Sequence, residues 1–221
     1  MKVILYSLLF SILLFDITGC GIANKVETIP NNNTLSQCES SKPVNVLFIG
    51  NSFTFYNDLP KLFKNIACSN GINIQYDSAT IGGAKFVDHA SNLDTLDKIN
   101  LKKWDYVILQ EQSQMASFKP KDIEVQSLPF AKDLVTKIKK NNEFTEIIYY
   151  ATWGKFNGDK INCSYYSKLC TFQGYTEAVE EGYSVYQKHT GGKIAFVGRD
   201  WGKTTNPSSL VKTSSLFDPD G

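Results

Sequence analysis

The sequence has 221 residues, of which 42% are hydrophobic and 13% aromatic, enough apolar material for one globular domain with a full core. Lys and Arg together number 23 and Asp and Glu 22, which gives a formal net charge of +1. Charges of both signs are spread along the chain, so the sequence lacks the basic stripe that is typical of nucleic-acid-binding proteins. Nucleic acid is therefore excluded as an expected partner.

The first 20 residues differ in character from the rest of the chain. Lys2 precedes an apolar run at 3–15, which is too short to span a bilayer but suits the hydrophobic region of a secretory signal. The small residues before Cys20 are similar to the lipobox of bacterial lipoproteins, where cleavage precedes a lipid-modified cysteine. We therefore predict a lipoprotein signal peptide at 1–19, a lipid anchor on Cys20 and a membrane-anchored protein in the periplasm or on the cell surface. The alternative is an ordinary signal peptide with an incidental cysteine.

The next segment, 20–42, is polar and rich in Asn and Ser, a composition that predicts a flexible tether before a domain at 43–221. Apart from Cys20, the cysteines are Cys38, Cys68, Cys163 and Cys170. An even number of cysteines in an exported chain permits two disulfides with three possible pairings. One pairing joins Cys163 to Cys170 across a short loop and Cys38 to Cys68 between the N-terminal arm and the first helix.

From residue 44 onward, short apolar runs alternate with amphipathic helical patterns. Strands are predicted at 44–49, 74–80, 106–110, 146–151 and 193–197. Helical stripes are predicted at 59–67, with Asn57 and Asp58 as caps, at 130–138 and at 175–189. Continuously apolar strands suit a parallel sheet that is covered on both faces. The alternation therefore predicts an α/β fold, a three-layer α/β/α sandwich with a five-stranded parallel sheet.

Polar or small residues follow four of the predicted strands, at 50–52 (Gly-Asn-Ser), 81–83 (Ile-Gly-Gly), 110–113 (Gln-Glu-Gln-Ser) and 152–154 (Thr-Trp-Gly). Parallel strands bring their carboxyl ends to one edge of the sheet, where ligands bind. A serine between a strand and a helix lies near free backbone N–H groups that stabilise negative charge. Ser52 is therefore the candidate nucleophile, and a helix-capping role is its alternative.

Other groups at the same edge are candidates for supporting Ser52. The Gly82-Gly83 turn lets the backbone approach a ligand closely, and one of its N–H groups is a candidate oxyanion donor. The side-chain amide of Gln112 or Gln110 is another. The only histidines are His89, on a short helix after the glycine turn, and His189, at a helix end on the opposite edge, so neither is well placed as a base. No Cys/His spacing suits zinc, and we predict neither a metal site nor a cofactor.

Taken together, three of these features resemble the SGNH/GDSL hydrolase superfamily. They are Gly-Asn-Ser at 50–52, the Gly-Gly turn at 82–83 and the Asp-Gly at 220–221. The segments WDYVILQEQS, YYATWG and AFVGRDW are similar to one exported branch of that superfamily. The resemblance covers about residues 44 to 221 and implies the flavodoxin-like SGNH hydrolase fold.

The resemblance also implies roles for individual residues. Ser52 is the nucleophile, and Asp220 matches the acid of the superfamily's Asp-x-x-His block. The N–H groups of Ser52 and Gly83 and the side chain of Gln112 form the oxyanion hole. The expected histidine falls two positions beyond Gly221, which implies a fragment that lacks its base. The alternative is a pseudoenzyme that keeps the pocket and has dropped the base.

The implied activity is hydrolysis of a carbohydrate ester, either an O-acetyl or another short acyl ester, through an acyl-Ser52 intermediate outside the cytoplasm. The residues expected to contact the substrate are Asn51, Gln110 and Trp153. One alternative is a glycan-binding lipoprotein with the same pocket, lined by Phe53, Tyr56 and Trp153. Another is a flavodoxin-like phosphate or FMN site at 51–54, on the first helix.

Overall fold

The computed structural model describes Cys38 and residues 41–204. Its strands are β1 (Val44–Gly50), β2 (Ile74–Thr80), β3 (Tyr106–Leu109), β4 (Glu146–Tyr150) and β5 (Lys193–Ala195). They form one sheet of order β2-β1-β3-β4-β5 in which every neighbouring pair is parallel. The predicted five-stranded parallel sheet is therefore confirmed. Only β5 is clearly shorter than predicted, because a helix already begins at Val197.

Helices connect the strands and follow the last one. They are α1 (Ser52–Phe55), α2 (Leu59–Ser69), α3 (Phe86–Ser91), α4 (Leu93–Leu101), α5 (Ser113–Ala116), α6 (Pro120–Gln126), α7 (Leu128–Asn141), α8 (Phe172–Thr190) and α9 (Val197–Thr204). Short 3-10 turns at Tyr56–Asp58 and Ser167–Cys170 precede α2 and α8. The three predicted helical stripes correspond to α2, α7 and α8.

The helices cover both faces of the sheet. On one face, Val46 and Phe48 of β1 pack with Phe63 of α2. On the other, Leu47 and Ile49 join a larger cluster with apolar residues of α3 to α8. Neighbouring side chains of a strand point to opposite faces, so the consecutive apolar residues of β1 are all buried. The predicted α/β/α sandwich is confirmed.

The entry into α2 differs from the sequence prediction. Asn57 and Asp58 have positive φ angles of 53° and 52°, and Asp58, at the N-cap position, makes no capping hydrogen bond through its side chain. Asp58 thus occupies the predicted cap position of α2, but it makes no side-chain hydrogen bond there. Asn57 and Asp58 instead supply two left-handed backbone positions, which Asn and Asp tolerate better than most residues, for the turn between α1 and α2.

Two disulfides are present in the described part of the chain. Cys38 pairs with Cys68 at a Cα–Cα distance of 5.3 Å, and Cys163 pairs with Cys170 at 4.7 Å. The first ties the segment before β1 to the last turn of α2, and the second closes the loop before α8. The structure thus selects one of the three pairings that the sequence permits.

Several sequence predictions lie outside the described residues, namely the signal peptide, the Cys20 anchor, most of the tether and Asp220. Among Cys38 and residues 41–204, no helix has both the length and the apolar character needed to cross a membrane.

The strand order places a topological switch point between β1 and β3. From β1 the chain forms β2 on one side and then crosses to β3 on the other side. The hydrogen bonding of β1 to β3 continues to the carboxyl edge, where the Gln110 N–H donates to the Ile49 carbonyl at 2.9 Å. In sheets of this order, the crevice outside the carboxyl ends at the switch point is the usual binding site.

Candidate active site

Ser52 is the first residue of α1 and lies just beyond the end of β1. The residue that caps this helix is Asn51, whose side-chain oxygen accepts a hydrogen bond from the Phe53 N–H at 3.1 Å. A capping role for Ser52 is therefore excluded. The Ser52 side chain is half-buried, and its hydroxyl makes no hydrogen bond with any described residue. Within the described residues, this hydroxyl therefore lies unbonded beside the switch point.

Gln110 ties the end of β3 to the end of β1. Its side-chain oxygen accepts hydrogen bonds from the Asn51 N–H at 2.8 Å and the Thr54 hydroxyl at 2.9 Å. Its amide nitrogen donates to the Glu111 carbonyl at 2.6 Å. A Cβ on Gly50 would lie 2.6 Å from the Gln110 side-chain oxygen and 2.5 Å from the Thr54 hydroxyl. The glycine of the Gly-Asn-Ser motif is thus required to make room for Gln110.

Asn51 and Gln110 are buried residues that lie next to the site. Their exposed fractions are 1% and 0%, and the Asn51 amide nitrogen donates to the Ala84 carbonyl at 2.9 Å. Both ends of each side-chain amide are hydrogen-bonded within the protein. The substrate contacts predicted for these two residues therefore do not fit the structure, and neither does Gln110 as an oxyanion donor. Their hydrogen bonds connect the residues on either side of Ser52 to the ends of β3 and of the loop after β2.

Unlike Gln110, Gln112 and Gly83 are not enclosed by other described residues. Gln112 is half-buried at the start of α5, and its side chain makes no hydrogen bond within the described residues. Gly83 has a φ of 69°, and nothing lies within 4 Å of a Cβ added there. The positive φ, which glycine adopts without strain, explains the residue type at this position. The loops that carry Gln112 and Gly83 leave the same edge of the sheet as Ser52, because β1, β2 and β3 are adjacent and parallel.

Glu111 is a candidate functional residue that sequence reasoning missed. One carboxylate oxygen accepts hydrogen bonds from the Phe86 N–H at 3.0 Å and the Gln112 N–H at 2.8 Å, and the other accepts the Ser127 hydroxyl at 2.5 Å. Burial raises the pKa of the carboxyl group to about 7, although these hydrogen bonds and the Lys85 charge act in the opposite direction. The available signal was an acidic residue directly after a buried apolar strand, where burial of the charge is expected.

His89 is a core residue that braces the end of β1. Its Nε2 lies 3.0 Å from the Gly50 carbonyl oxygen and its Nδ1 lies 2.9 Å from the Thr95 hydroxyl. Because a carbonyl oxygen only accepts hydrogen bonds, the proton of the neutral ring is on Nε2. Nδ1 then faces the Thr95 hydroxyl, whose one proton is shared between Nδ1 and the Asn92 side-chain oxygen at 3.2 Å. Burial lowers the pKa of His89, against the opposite effects of the Gly50 carbonyl and Asp88. Both ring nitrogens are used, so His89 is not the base.

We expect the His89 ring to stay neutral, with its proton on Nε2, from pH 8 down to its ordinary pKa of about 6.5. The physical reason is that a charged ring would lose its hydration in the core. A long-range proton–nitrogen correlation spectrum distinguishes the two tautomers and the charged form. A proton on Nδ1 in this range would contradict the assignment.

His189 lies in the last turn of α8, with its Nε2 3.9 Å from a carboxylate oxygen of Glu124. This end of α8 leads into the start of β5, so it lies at the edge opposite to Ser52. Neither histidine of the sequence is therefore placed to take the Ser52 proton. Among Cys38 and residues 41–204, no group of three or more His, Cys, Asp or Glu side chains is arranged to hold a metal ion.

Aromatic side chains lie on and around α1. The rings of Phe53 and Trp153 meet edge to face, with centroids 5.1 Å apart. The side chains of Phe55 and Tyr56 are 43% and 59% exposed. Trp153 follows β4 at the same edge of the sheet, so its predicted contact with substrate is compatible with its place, and it stays a prediction.

No family model matches the sequence, and no curated protein matches it. Solved structures do match. A candidate SGNH hydrolase from Slackia heliotrinireducens has a TM-score of 0.60 at 18% identity, over 81% of this chain and 89% of its own. A DUF4886 family protein from Bacteroides uniformis has a TM-score of 0.55 at 19% identity, over 69% and 66%. The SGNH-hydrolase family esterase AlinE4 has a TM-score of 0.54 at 12% identity, over 82% and 86%.

The structural similarity establishes the fold, but at identities this low the activity has to be argued from the site itself. The fold agrees with the superfamily that the motifs around Ser52 predict. On strand order and on its structural neighbours, the chain has the fold of the SGNH hydrolases.

Proposed function

We propose that the protein is a serine esterase of the SGNH type, with Ser52 as its nucleophile. The observation that carries the proposal is the hydroxyl of Ser52 at the start of α1, which makes no hydrogen bond with the described residues and lies beside the switch point of an SGNH hydrolase fold. In the first step, the Ser52 oxygen bonds to the acyl carbon while its proton passes to a base. The alcohol then leaves with that proton, and water hydrolyses the acyl-serine.

The negative oxygen of the tetrahedral intermediate is stabilised by hydrogen-bond donors. The proposed donors are the N–H groups of Ser52 and Gly83 and the side-chain amide of Gln112. Gln112 is favoured over Gln110 because the amide of Gln110 is buried and already bonded to other groups at both ends. Donors that are already in position cost little reorganisation when the charge develops.

The mechanism also needs a base, which His89 and His189 do not supply. We propose that the base is the histidine of an Asp-x-x-His block that begins at Asp220. Reading the gene beyond the Gly221 codon tests this directly. A residue other than histidine at position 223 would remove this part of the proposal.

The proposed substrate is an O-acetyl or other short acyl ester of a carbohydrate. Support comes from the aromatic surface of Phe55 and Tyr56 beside Ser52, since aromatic faces pack well against sugar rings.

We further propose that a lipid on Cys20 holds the protein outside the cytoplasm, and fractionation of cells producing wild-type and Cys20→Ala chains tests the anchor.

The full gene product, including any residues encoded after Gly221, is expected to hydrolyse an aryl acetate and to release acetate from an acetylated glycan. A fluorophosphonate is expected to label one residue, which peptide mass spectrometry identifies as Ser52. A folded product that shows neither hydrolysis nor labelling would contradict the esterase proposal.

The second candidate is a lipoprotein that binds glycans without cleaving them. The observation that favours it is that neither histidine of the sequence contacts Ser52. Calorimetric titration with an acetylated glycan and with its deacetylated form distinguishes the two candidates. Binding without release of acetate supports the second one, and release of acetate excludes it.

A further inference from the structure

One carboxylate oxygen of Glu111 connects two loops of the proposed active site. It accepts the Phe86 N–H at 3.0 Å and the Gln112 N–H at 2.8 Å. Phe86 begins α3, directly after the loop that contains Gly83. The same oxygen therefore joins the loop after β2 to the loop after β3, which carry two of the proposed oxyanion donors.

The loop that contains Gly83 is held by hydrogen bonds rather than by side-chain packing. Nothing in the described part of the chain lies within 4 Å of a Cβ added at Gly82 or Gly83, so no side chain packs there. Just beyond the two glycines, the Ala84 carbonyl is held by Asn51 at 2.9 Å and the Phe86 N–H by Glu111. The turn itself is closed by the Ala84 N–H, which donates to the Ile81 carbonyl at 3.1 Å, and the Ile81 N–H donates to the Gly50 carbonyl at 3.2 Å. Asn51 and Glu111 hold the far end of this turn, so they help to set where the Gly83 N–H lies relative to Gln112.

The second carboxylate oxygen faces away from the site, into a buried chain of hydroxyl groups. It accepts the Ser127 hydroxyl at 2.5 Å, and Ser127 in turn accepts the Tyr186 hydroxyl at 2.8 Å. The Glu111 N–H donates to the Tyr183 hydroxyl oxygen at 2.8 Å. The charged or titratable groups that act on this carboxyl are Lys85, Tyr183 and Tyr186. Each side-chain hydrogen bond is donated to Glu111, an arrangement that suits a carboxylate.

We propose that Glu111 is a positioning residue of the active site, whose carboxylate sets the distance between the Gly83 N–H and Gln112 across the oxyanion hole. Glu111 is fully buried, so it acts on the reaction only through these neighbours. We call the pair of hydrogen bonds from the Phe86 and Gln112 N–H groups to Glu111 the clamp. The inference rests on the proposed esterase function, because the clamp matters for the reaction only if the two loops carry oxyanion donors.

The test compares three variants of the full gene product with wild type. Glu111→Leu keeps the bulk and removes both acceptors, and we expect kcat for an aryl acetate to fall about 10- to 100-fold with little change in KM. Glu111→Gln keeps an oxygen for the two N–H groups and is expected to retain most of kcat. The matched control is Ser127→Ala, which removes the bond on the far side and is expected to lower the melting temperature without lowering kcat.

A purely structural role for Glu111 would give a different pattern. Glu111→Leu and Ser127→Ala would then both lose stability and have the same kcat at a temperature where both are folded, and this outcome would overturn the proposal. The comparison of kcat at matched folding therefore separates positioning from stability.

A second measurement needs no activity and no folded Glu111→Leu variant. In proton–nitrogen spectra of the wild type, the Phe86 and Gln112 amides are expected to shift together with a midpoint near the Glu111 pKa of about 7. Glu111→Gln abolishes this shared transition. Independent titrations of the two amides would overturn the clamp. Amides that shift together in a gene product without esterase activity would instead refute the proposed function and leave the clamp standing.

The same pKa has a consequence for stability. Because burial raises the Glu111 pKa from 4.5 to about 7, its stabilising contribution is full below pH 4.5 and is lost as the pH rises to about 7. The free energy of unfolding of the wild type therefore includes a decrease over this range that Glu111→Gln lacks. Urea denaturation of the two proteins at several pH values measures the difference.

Discussion

Ser52→Ala is expected to lower kcat/KM of the full gene product for an aryl acetate by at least about a thousandfold. The reason is that no acyl-enzyme forms without the serine oxygen, so only the binding and oxyanion contributions remain. Steady-state kinetics with the purified variant measures the loss. Fluorophosphonate labelling of the Ser52 peptide is expected to disappear with it.

The loss of activity is expected without a loss of stability. The Ser52 hydroxyl is half-buried and makes no hydrogen bond with the described residues, so its removal changes the free energy of unfolding by no more than about 0.5 kcal/mol. Ser91→Ala, on the exposed surface of α3, is the matched control and is expected to keep full activity. Substantial activity in Ser52→Ala would mean that another residue is the nucleophile.

Gln110→Leu is expected to lower the free energy of unfolding by about 2 kcal/mol or more. The substitution puts an apolar side chain of similar size in the place of Gln110 but leaves two buried groups without partners, the Asn51 N–H and the Thr54 hydroxyl. The Glu111 carbonyl loses the Gln110 amide but keeps the hydrogen bond from the Tyr183 hydroxyl at 3.2 Å. Each unsatisfied buried group costs about 1 to 3 kcal/mol.

Urea denaturation measures this loss, and Gln75→Leu is the matched control. Gln75 lies exposed on the edge strand β2, so the same chemical change there is expected to alter the free energy of unfolding by no more than about 0.5 kcal/mol. Equal effects of the two substitutions would contradict the supporting role of Gln110. Activity is also expected to fall in Gln110→Leu, because Asn51 then loses the partner that fixes its N–H.

The sheet was predictable because its strands are buried on both faces. A strand such as 44–49 must then be apolar at consecutive positions, and this run is visible without any knowledge of its neighbours. The alternation of such runs with helical stripes implies the order of layers. The position of Ser52 follows in the same way, because the end of a strand is also the end of its apolar run.

The roles of the polar residues at the site were not predictable in this way. Gln110 and Gln112 have the same side chain two positions apart, and only the packing of β3 against β1 buries one of them against Asn51, 59 residues away in sequence. His89 cannot act as the base because its two ring nitrogens are hydrogen-bonded to Gly50 and Thr95. A side chain's partners across a sheet depend on which strands are neighbours, and the sequence does not state this.

By itself, the sequence determined the α/β architecture, the place of the strand ends and the position of Ser52 just beyond β1, because these depend on burial and periodicity along the chain. Only the tertiary structure decided that Gln110 and Asn51 are buried and hydrogen-bonded to each other, that the Gln112 side chain makes no hydrogen bond among the described residues, and that Glu111 is buried between two loops. Hydrogen-bond partners and the loss of water around a charge arise from residues far apart in sequence, so they exist only after the strands have assembled.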